Sequence, residues 1–406
     1  MSMTVVEPVY EDIGPRDVEL HPISNAPSPA THVNSEATGS ENNILNKKNV
    51  IKILAVGFSY IFAGLNDGSL GALTPYILRT YHVGTDSLLT SFAFGHLPFG
   101  LYVVTFFLQA AGMGYQDSHA NTFVASIKGA HRWLGFIHAM YALGCFVAPF
   151  VATVIAARIG ERWPLFYLFL VGVGSINIVA MLVTFRDSLK IRHNDILAGT
   201  DQEGTNSRSN SASRDILDTL KSPPVYLISM FYFFMLGTGI TAGGWIVEYL
   251  VSARNGNLPD VGYVPAGFWG GIFLGRVLLA EPTHRFGERR MSLGYCFMIL
   301  AFHLVFWLVP NLVSSSVAIS FLGFFYGPLF ATGMSISSKL FEKRIQSTAL
   351  GLVFVLAQAG GSLFPSLTGV IASQAGVKVM QPMLVGLIVA MGVSWALIPK
   401  VPKYDE

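Results

Sequence analysis

The sequence predicts an all-α protein that crosses a lipid bilayer about ten times in two related halves. Hydrophobic residues make up 52% of the 406-residue chain and charged residues only 12%, about half the share of charge in a soluble domain. The apolar residues gather in runs of about 20, the number a helix needs to cross a hydrocarbon core about 30 Å thick. One stretch also occurs twice: Leu134-Gly135, Gly144, Pro149 and Ile155-Ala156 recur as Leu350-Gly351, Gly360, Pro365 and Ile371-Ala372, at a constant offset of 216 residues. Gly and Pro at fixed places in apolar helices are tolerated in a bilayer, where neighbouring helices approach closely at Gly and satisfy the backbone that Pro opens. The competing reading, two buried helices with chance Gly and Pro, would have to produce these matches without a gap.

Residues 1–50 are rich in Pro, Ser, Asn, Glu and Thr and contain no apolar run long enough for a signal-peptide core. They read as a disordered tail, with the first span serving as the targeting signal. Ten spans follow, A to J, over about 52–78, 98–122, 132–157, 163–185, 223–251, 262–280, 291–309, 312–336, 347–373 and 379–399. Between D and E lies a polar, Ser/Asn-rich linker in which Arg208 and Arg214 flank Ser211 and Ser213. It reads as a solvated linker or as a phosphorylation site. The organisation is thus a tail (1–50), an incomplete N-terminal half of about four spans (51–185), a linker (186–222), a six-helix C-terminal half (223–399) and a tail (400–406). Cys145 and Cys296 fall inside apolar runs without metal-ligand spacing, so packing is their expected role. The net charge of +2 gives no case for nucleic acid.

The charge of the loops tests the span count independently, because Lys and Arg accumulate on the cytoplasmic side. With the N-terminus inside, ten spans place twenty Lys and Arg residues in the cytoplasm against five outside. Both termini are therefore expected in the cytoplasm, and the plasma membrane is the expected location. The halves are unequal. Span A aligns with E through Phe58/Phe231, Gly64/Gly237 and Tyr76/Tyr249 at an offset of 173, whereas B aligns with H through Phe106/Phe321 and Gly112/Gly327 at 215. The first half therefore lacks 42 residues, about two helices, between A and B. Only 84–97 occupies that gap, and the basic loop Arg285-Phe286-Gly287-Glu288-Arg289-Arg290 has no counterpart in the first half. A six-plus-six ancestor without its second and third helices accounts for this. A splice variant, a misjudged intron and an evolved ten-helix protein are its three possible origins.

Ionisable groups inside spans cost roughly 2.5–3.5 kcal/mol each at the membrane centre, so each is a functional candidate. Asp67 follows Asn66 in span A, about 22 Å past Lys52 at helical rise and so beyond mid-membrane. A carboxylate away from water is costly to keep charged, which suits it to carry a proton. A structural hydrogen bond to a neighbouring helix is the alternative. Span B ends with Gly112, Gly114, Gln116, Asp117, His119 and Asn121, where Asp117 and Asn121 share a face and the glycines permit close approach. Span C sets His138, Tyr141 and Cys145 on one face. His138 is either a substrate hydrogen-bonder or a packing residue. Trp245 and Glu248 share a face of span E, although Glu248 can equally reach the interface. Arg276 is expected to neutralise a buried acid, and Gln358 is a polar cavity candidate.

Ten spans, two halves and the basic loop resemble the major facilitator superfamily over residues 51–399 apart from the gap. Leu65-Asn66-Asp67 resembles the first helix of the fucose permease group of sugar/proton symporters. Gly112-x-Gly114-x-x-Asp117-x3-Asn121 resembles that group's fourth helix, where the acid is usually Glu. Leu134-x3-His138-x2-Tyr141-x2-Gly144-x4-Pro149 resembles its fifth, where amides usually stand at the places of His138 and Tyr141. The tail and linker are similar to those of fungal members of unassigned substrate. The resemblance implies a central cavity open to each side in turn. Asp67 and Asp117 would couple protons or bind substrate, and Asn66, Gln116, Asn121, His138, Tyr141, Trp245, Glu248 and Gln358 are the candidates to meet the substrate. Arg285, Gly287, Arg289 and Arg290 would form a gating loop. Its departures leave a hexose unsecured.

The function that follows is proton-driven carriage of a small polar, sugar-like solute by a monomer in a lipid bilayer, without cofactor or metal. Export of an amphipathic metabolite or drug is a second reading, favoured by the Phe-rich spans. A truncated form that transports nothing and acts as a sensor is a third. No nucleotide loop, metal spacing or paired nucleophile and base suggests an enzyme.

Overall fold

The structure, a computed structural model, describes residues 47–81, 99–127, 130–186, 214 and 216–400. The segment 84–97, Ser211, Ser213, most of the tails and most of the linker lie outside the described residues. The main helices are α1 (Lys47–Tyr81), α2 (Phe99–Ala125), α3 (Ala130–Ile159), α4 (Phe166–Thr184), α5 (Pro223–Arg254), α6 (Val264–Leu278), α7 (Glu288–Leu308), α8 (Leu312–Tyr326), α9 (Leu329–Leu340), α10 (Gln346–Ala375) and α11 (Met380–Leu397). Among the described residues nine helical stretches are long and apolar enough to cross a membrane, with α8 and α9 forming one such stretch across Gly327-Pro328. The tenth expected span, α2, has 27 residues, about 40 Å of helix, but its second half is polar.

Several helices outrun their expected spans because backbone hydrogen bonding does not stop where lipid does. α1 begins at Lys47, so the last four residues assigned to the tail are helical, and residues 216–221 of the linker are helical too. α5 ends with Asn255 at a left-handed φ of 56°, and the Gly256 amide donates to the Leu250 carbonyl at 2.8 Å. That bond closes the helix where its last carbonyls would otherwise go unpaired. On α4, Leu168, Val171, Ile176, Val179 and Val183 are exposed, as expected of side chains that face lipid.

The duplicated glycines are contact points between backbones. A Cβ added at Gly144 would stand 2.2 Å from the Ile61 carbonyl oxygen of α1, and one at Gly360 2.1 Å from that of Phe233 in α5. The pair α1/α3 in the first half thus corresponds to α5/α10 in the second. The second half has one continuous core that includes Phe231, Trp395, Phe268 and Phe306, with the Phe231 and Trp395 rings 4.6 Å apart. The first half has two small cores, one around Leu73, Ala148, Trp163 and Phe166, the other around Val56, Tyr60, Val124 and Ile137.

The halves differ most at α2. In the second half α6 packs on α8 through glycine: a Cβ at Gly271 would stand 2.2 Å from the Ser320 carbonyl oxygen, and one at Gly323 2.1 Å from that of Phe268. In the first half, Gly112, the counterpart of Gly327, has nothing described within 4 Å of an added Cβ, and neither has Gly114. Among the described residues, nothing covers on α2 the face that α6 covers on α8.

The halves meet along α1/α5 and α3/α6. A Cβ at Gly71 would stand 2.1 Å from the Gly243 carbonyl oxygen, Gly270 abuts the Phe146 ring, and Gly262 abuts Thr153. Tyr76 packs against the cores of both halves.

Candidate functional site

Asp67 sits on the face of α1 that packs on α3, half-buried. Gly64 and Gly68 place the two backbones in contact, with Cβ positions 2.1 Å from the Tyr141 carbonyl oxygen and 2.5 Å from Cys145. That closeness lets the Tyr141 hydroxyl donate to Asp67 Oδ2 at 2.8 Å, while Asn66 Nδ2 donates to Oδ1 at 3.0 Å. Asp67 makes no ion pair among the described residues. Its carboxylate is held by two neutral donors, an arrangement able to take a proton or a substrate hydroxyl.

Asp117 is held by a second set of neutral donors. The Tyr60 hydroxyl donates to Asp117 Oδ1, and Asn121 Nδ2 lies 2.9 Å from the same oxygen and 3.0 Å from the Tyr60 hydroxyl. Asp117 itself is exposed, on the helix whose glycine face is open. The two acids are linked through α3: the Tyr60 ring meets His138 edge-on at 5.5 Å, and His138 stands one turn before Tyr141. His138 also lies 5.3 Å from the Phe330 ring of α9, and Tyr141 6.5 Å from that of Trp269 in α6. Side chains of the second half therefore meet this line of polar groups at His138 and Tyr141.

Tyr60, Trp269 and Phe330 are absent from the residues singled out in the sequence. The spacing of Tyr60 and Asp67, seven apart on one helical face, was a usable signal. Phe330 and Trp269 arrive by packing of the second half and left no local signal.

The remaining candidates fall elsewhere. Trp245 lies against Gly369 of α10, with its ring 3.2 Å from an added Cβ. The Glu248 carboxylate accepts from Ser252 on its own helix. Gln358 is exposed on α10, and Gln116 is half-buried on α2. The acid expected opposite Arg276 is not within 4 Å among the described residues; Arg276 Nη1 donates instead to the His138 carbonyl oxygen at 2.6 Å, joining the halves. In the basic loop Gly287 adopts a φ of 99°, and the exposed Arg285 pairs with Glu281 at 3.6 Å. Arg289 Nη2 donates to the Ala396 carbonyl at 2.8 Å, and Arg290 is exposed. Glu288 accepts from Lys339 at 2.8 Å and from Ser335 at 2.6 Å, so the loop is tied to α9 and α11 of its own half.

Residues 84–365 and 246–406 match the Major Facilitator Superfamily. The chain belongs to this superfamily. It is a multi-pass membrane transporter and not an enzyme. The Bypass of stop codon protein 6 of Saccharomyces cerevisiae is 25% identical, over 88% of this chain and 84% of that protein. Among solved structures, the fucose:proton symporter of E. coli is similar with a TM-score of 0.53 at 15% identity, covering 86% of this chain and 88% of that one. A bacterial homologue of the human lysosomal transporter Spinster, inward-facing and occupied, gives a TM-score of 0.58 at 13% identity, over 86% and 96%. At these identities the likeness is one of fold. The major facilitator arrangement sets the Asp67 and Asp117 clusters in the first half and Arg276, Trp269 and Phe330 in the second.

Proposed function

We propose that the protein is a secondary active carrier of a small polar, sugar-like solute, coupled to protons through Asp67 with Asp117 as a second acid. The observation that carries this is the Asp67 carboxylate, placed well inside α1 and held, among the described residues, by Tyr141 and Asn66. An acid balanced by a fixed cation would have little reason to take up a proton; one held by neutral donors can release either donor to a substrate hydroxyl. Asn66, Asn121, His138 and Tyr141 would complete the polar lining. The similarity in fold to a fucose:proton symporter supports this choice of solute and ion. Protonation and substrate would together bias rocking of the halves about the α1/α5 and α3/α6 contacts. The excess of Lys and Arg on one side supports cytoplasmic termini, and the plasma membrane is the membrane proposed.

The test uses the purified chain in proteoliposomes with a panel of radiolabelled hexoses. A pH gradient of one unit, acid outside, should sustain up to about tenfold accumulation per proton, and a protonophore should abolish it. Asp67→Asn should lose uphill accumulation while retaining exchange of substrate across the membrane at equal pH. Undiminished uphill accumulation by Asp67→Asn would overturn the assignment.

A further inference from the structure

Arg276 is a cation between the halves with no acid within ion-pair distance among the described residues. Its single hydrogen bond among the described residues runs from Nη1 to the His138 carbonyl oxygen at 2.6 Å, leaving Nε and Nη2 without a partner. The side chain is half-buried, neither sealed in the core nor out in solvent. Other arginines are differently placed. Arg254 donates to the Phe306 and Trp307 carbonyls at a helix end, Arg285 pairs with Glu281, and Arg344 pairs with Asp218.

Three acids within the described helices are engaged elsewhere. Asp67 is held by Tyr141 and Asn66, Asp117 by Tyr60 and Asn121, and Glu248 by Ser252. Arg276 interacts electrostatically with Tyr141, Cys145, Tyr326 and His138, and the two tyrosine hydroxyls are spent, on Asp67 and on the Met235 carbonyl. A guanidinium within a membrane protein is costly unless it meets an acid or lines a wet cavity. The edge formed by Nε and Nη2 is one of the two edges of a guanidinium that present parallel N–H groups to a carboxylate, and among the described residues nothing bonds to it.

We infer that Arg276 is the subsite for a carboxylate borne by the substrate, so that the transported solute is a sugar acid rather than a neutral sugar. The inference rests on the sugar-like, proton-coupled reading above and narrows it. Hydroxyls of the solute would meet Asp67, Asn66 and Tyr141 in the first half and its carboxylate Arg276 in the second, with Trp269 and Phe330 as apolar walls. One solute then touches both halves, which is what binding must do to bias their rocking. A monoanion carried with one proton moves no net charge, so an inside-negative potential would not oppose uptake.

D-galactose and D-galacturonate test this directly, because they share a ring and differ at C6, a hydroxymethyl in one and a carboxylate in the other. Binding to the purified full chain at pH 7, by calorimetry, should favour galacturonate by at least tenfold. Arg276→Gln should bring that ratio to within about twofold, and Arg276→Lys should keep part of it, provided both variants elute and melt like the native protein. Equal binding of the two sugars by the native chain, or an undiminished preference in Arg276→Gln, overturns the inference. Accumulation of galactose without preference for galacturonate overturns it while leaving the sugar-like reading intact. Arg276-dependent binding of lactate with no binding of either sugar sustains the carboxylate subsite and overturns the sugar-like reading. Binding of none of the three overturns both.

Discussion

Tyr60 holds Asp117 and touches His138, so one phenol ties α2 to α1 and α3. Among the described residues, the buried side chains of α2 are Ala120 and Val124 near its end, where the Phe123 ring also meets Phe185 at 5.4 Å. Tyr60→Phe keeps the ring and removes the donor to a carboxylate, a bond of about 1.5–3 kcal/mol. We expect a lower melting temperature and faster amide exchange confined to α2, read by mass spectrometry. Unchanged exchange in α2 would mean that the bond is not what secures it. Outside the membrane, the hydrogen bond from Arg344 holds the Asp218 carboxyl below the usual carboxylate range. A folded-state value below the unfolded one means that stability from this pair is present above the ordinary Asp value of about 3.9 and is lost as pH falls through the folded value. Asp218→Asn should therefore lower the melting temperature slightly at pH 7 and leave it unchanged in strong acid. The pair is exposed and its contribution is small. At this scale the sequence displayed the acids but not their holders. Asp67, Asn66, Asp117 and Asn121 announce themselves as polar residues in apolar runs, whereas Tyr60, Trp269 and Phe330 look like ordinary membrane aromatics until packing brings them together.

Helices were the more legible scale, because a span is written in local hydropathy and a close contact in glycine. The repeated Gly144 and Gly360 proved to touch corresponding neighbours, the Ile61 and Phe233 carbonyls. Gly112 and Gly327 also correspond, and here the halves part: a Cβ at Gly327 would stand 2.5 Å from the Ile272 carbonyl oxygen, whereas one at Gly112 meets nothing described. Two substitutions of the same chemistry should therefore differ in outcome. Gly327→Val forces α6 and α8 apart and should cost about 3 kcal/mol as overpacking, seen as loss of monodisperse protein on extraction. Gly112→Val should be tolerated, and its loss to the same degree would show that the α2 face is covered. What local hydropathy could not reveal was where helices end. The break between α8 and α9 at Gly327-Pro328 depends on backbone bonding and proline, not on apolarity.

The whole molecule carries an asymmetry that both its sequence and its packing report. Offsets of 173 and 215 residues leave 42 residues of the second half without a counterpart in the first, and the glycines of α2 that meet nothing described lie where a helix equivalent to α6 would pack. The yeast relative is also longer than this chain over the aligned stretch. Its alignment runs over 419 positions while 88% of this 406-residue chain takes part, so it bridges gaps where the relative has residues that this chain lacks. We expect full-length transcripts read across codons 80 to 100 to include a longer form. It should add two apolar runs joined by a basic loop, the partner of the one at Arg285–Arg290. A cysteine placed at Gly112 should then react with a membrane-permeant maleimide in the present chain and be protected in the longer product. If only the short message exists and Gly112→Cys is already protected, another part of the protein or another chain covers α2, and ten helices are the complete transporter. If the longer product protects that cysteine and accumulates substrate while the short form does not, the two helices are the missing wall of the cavity.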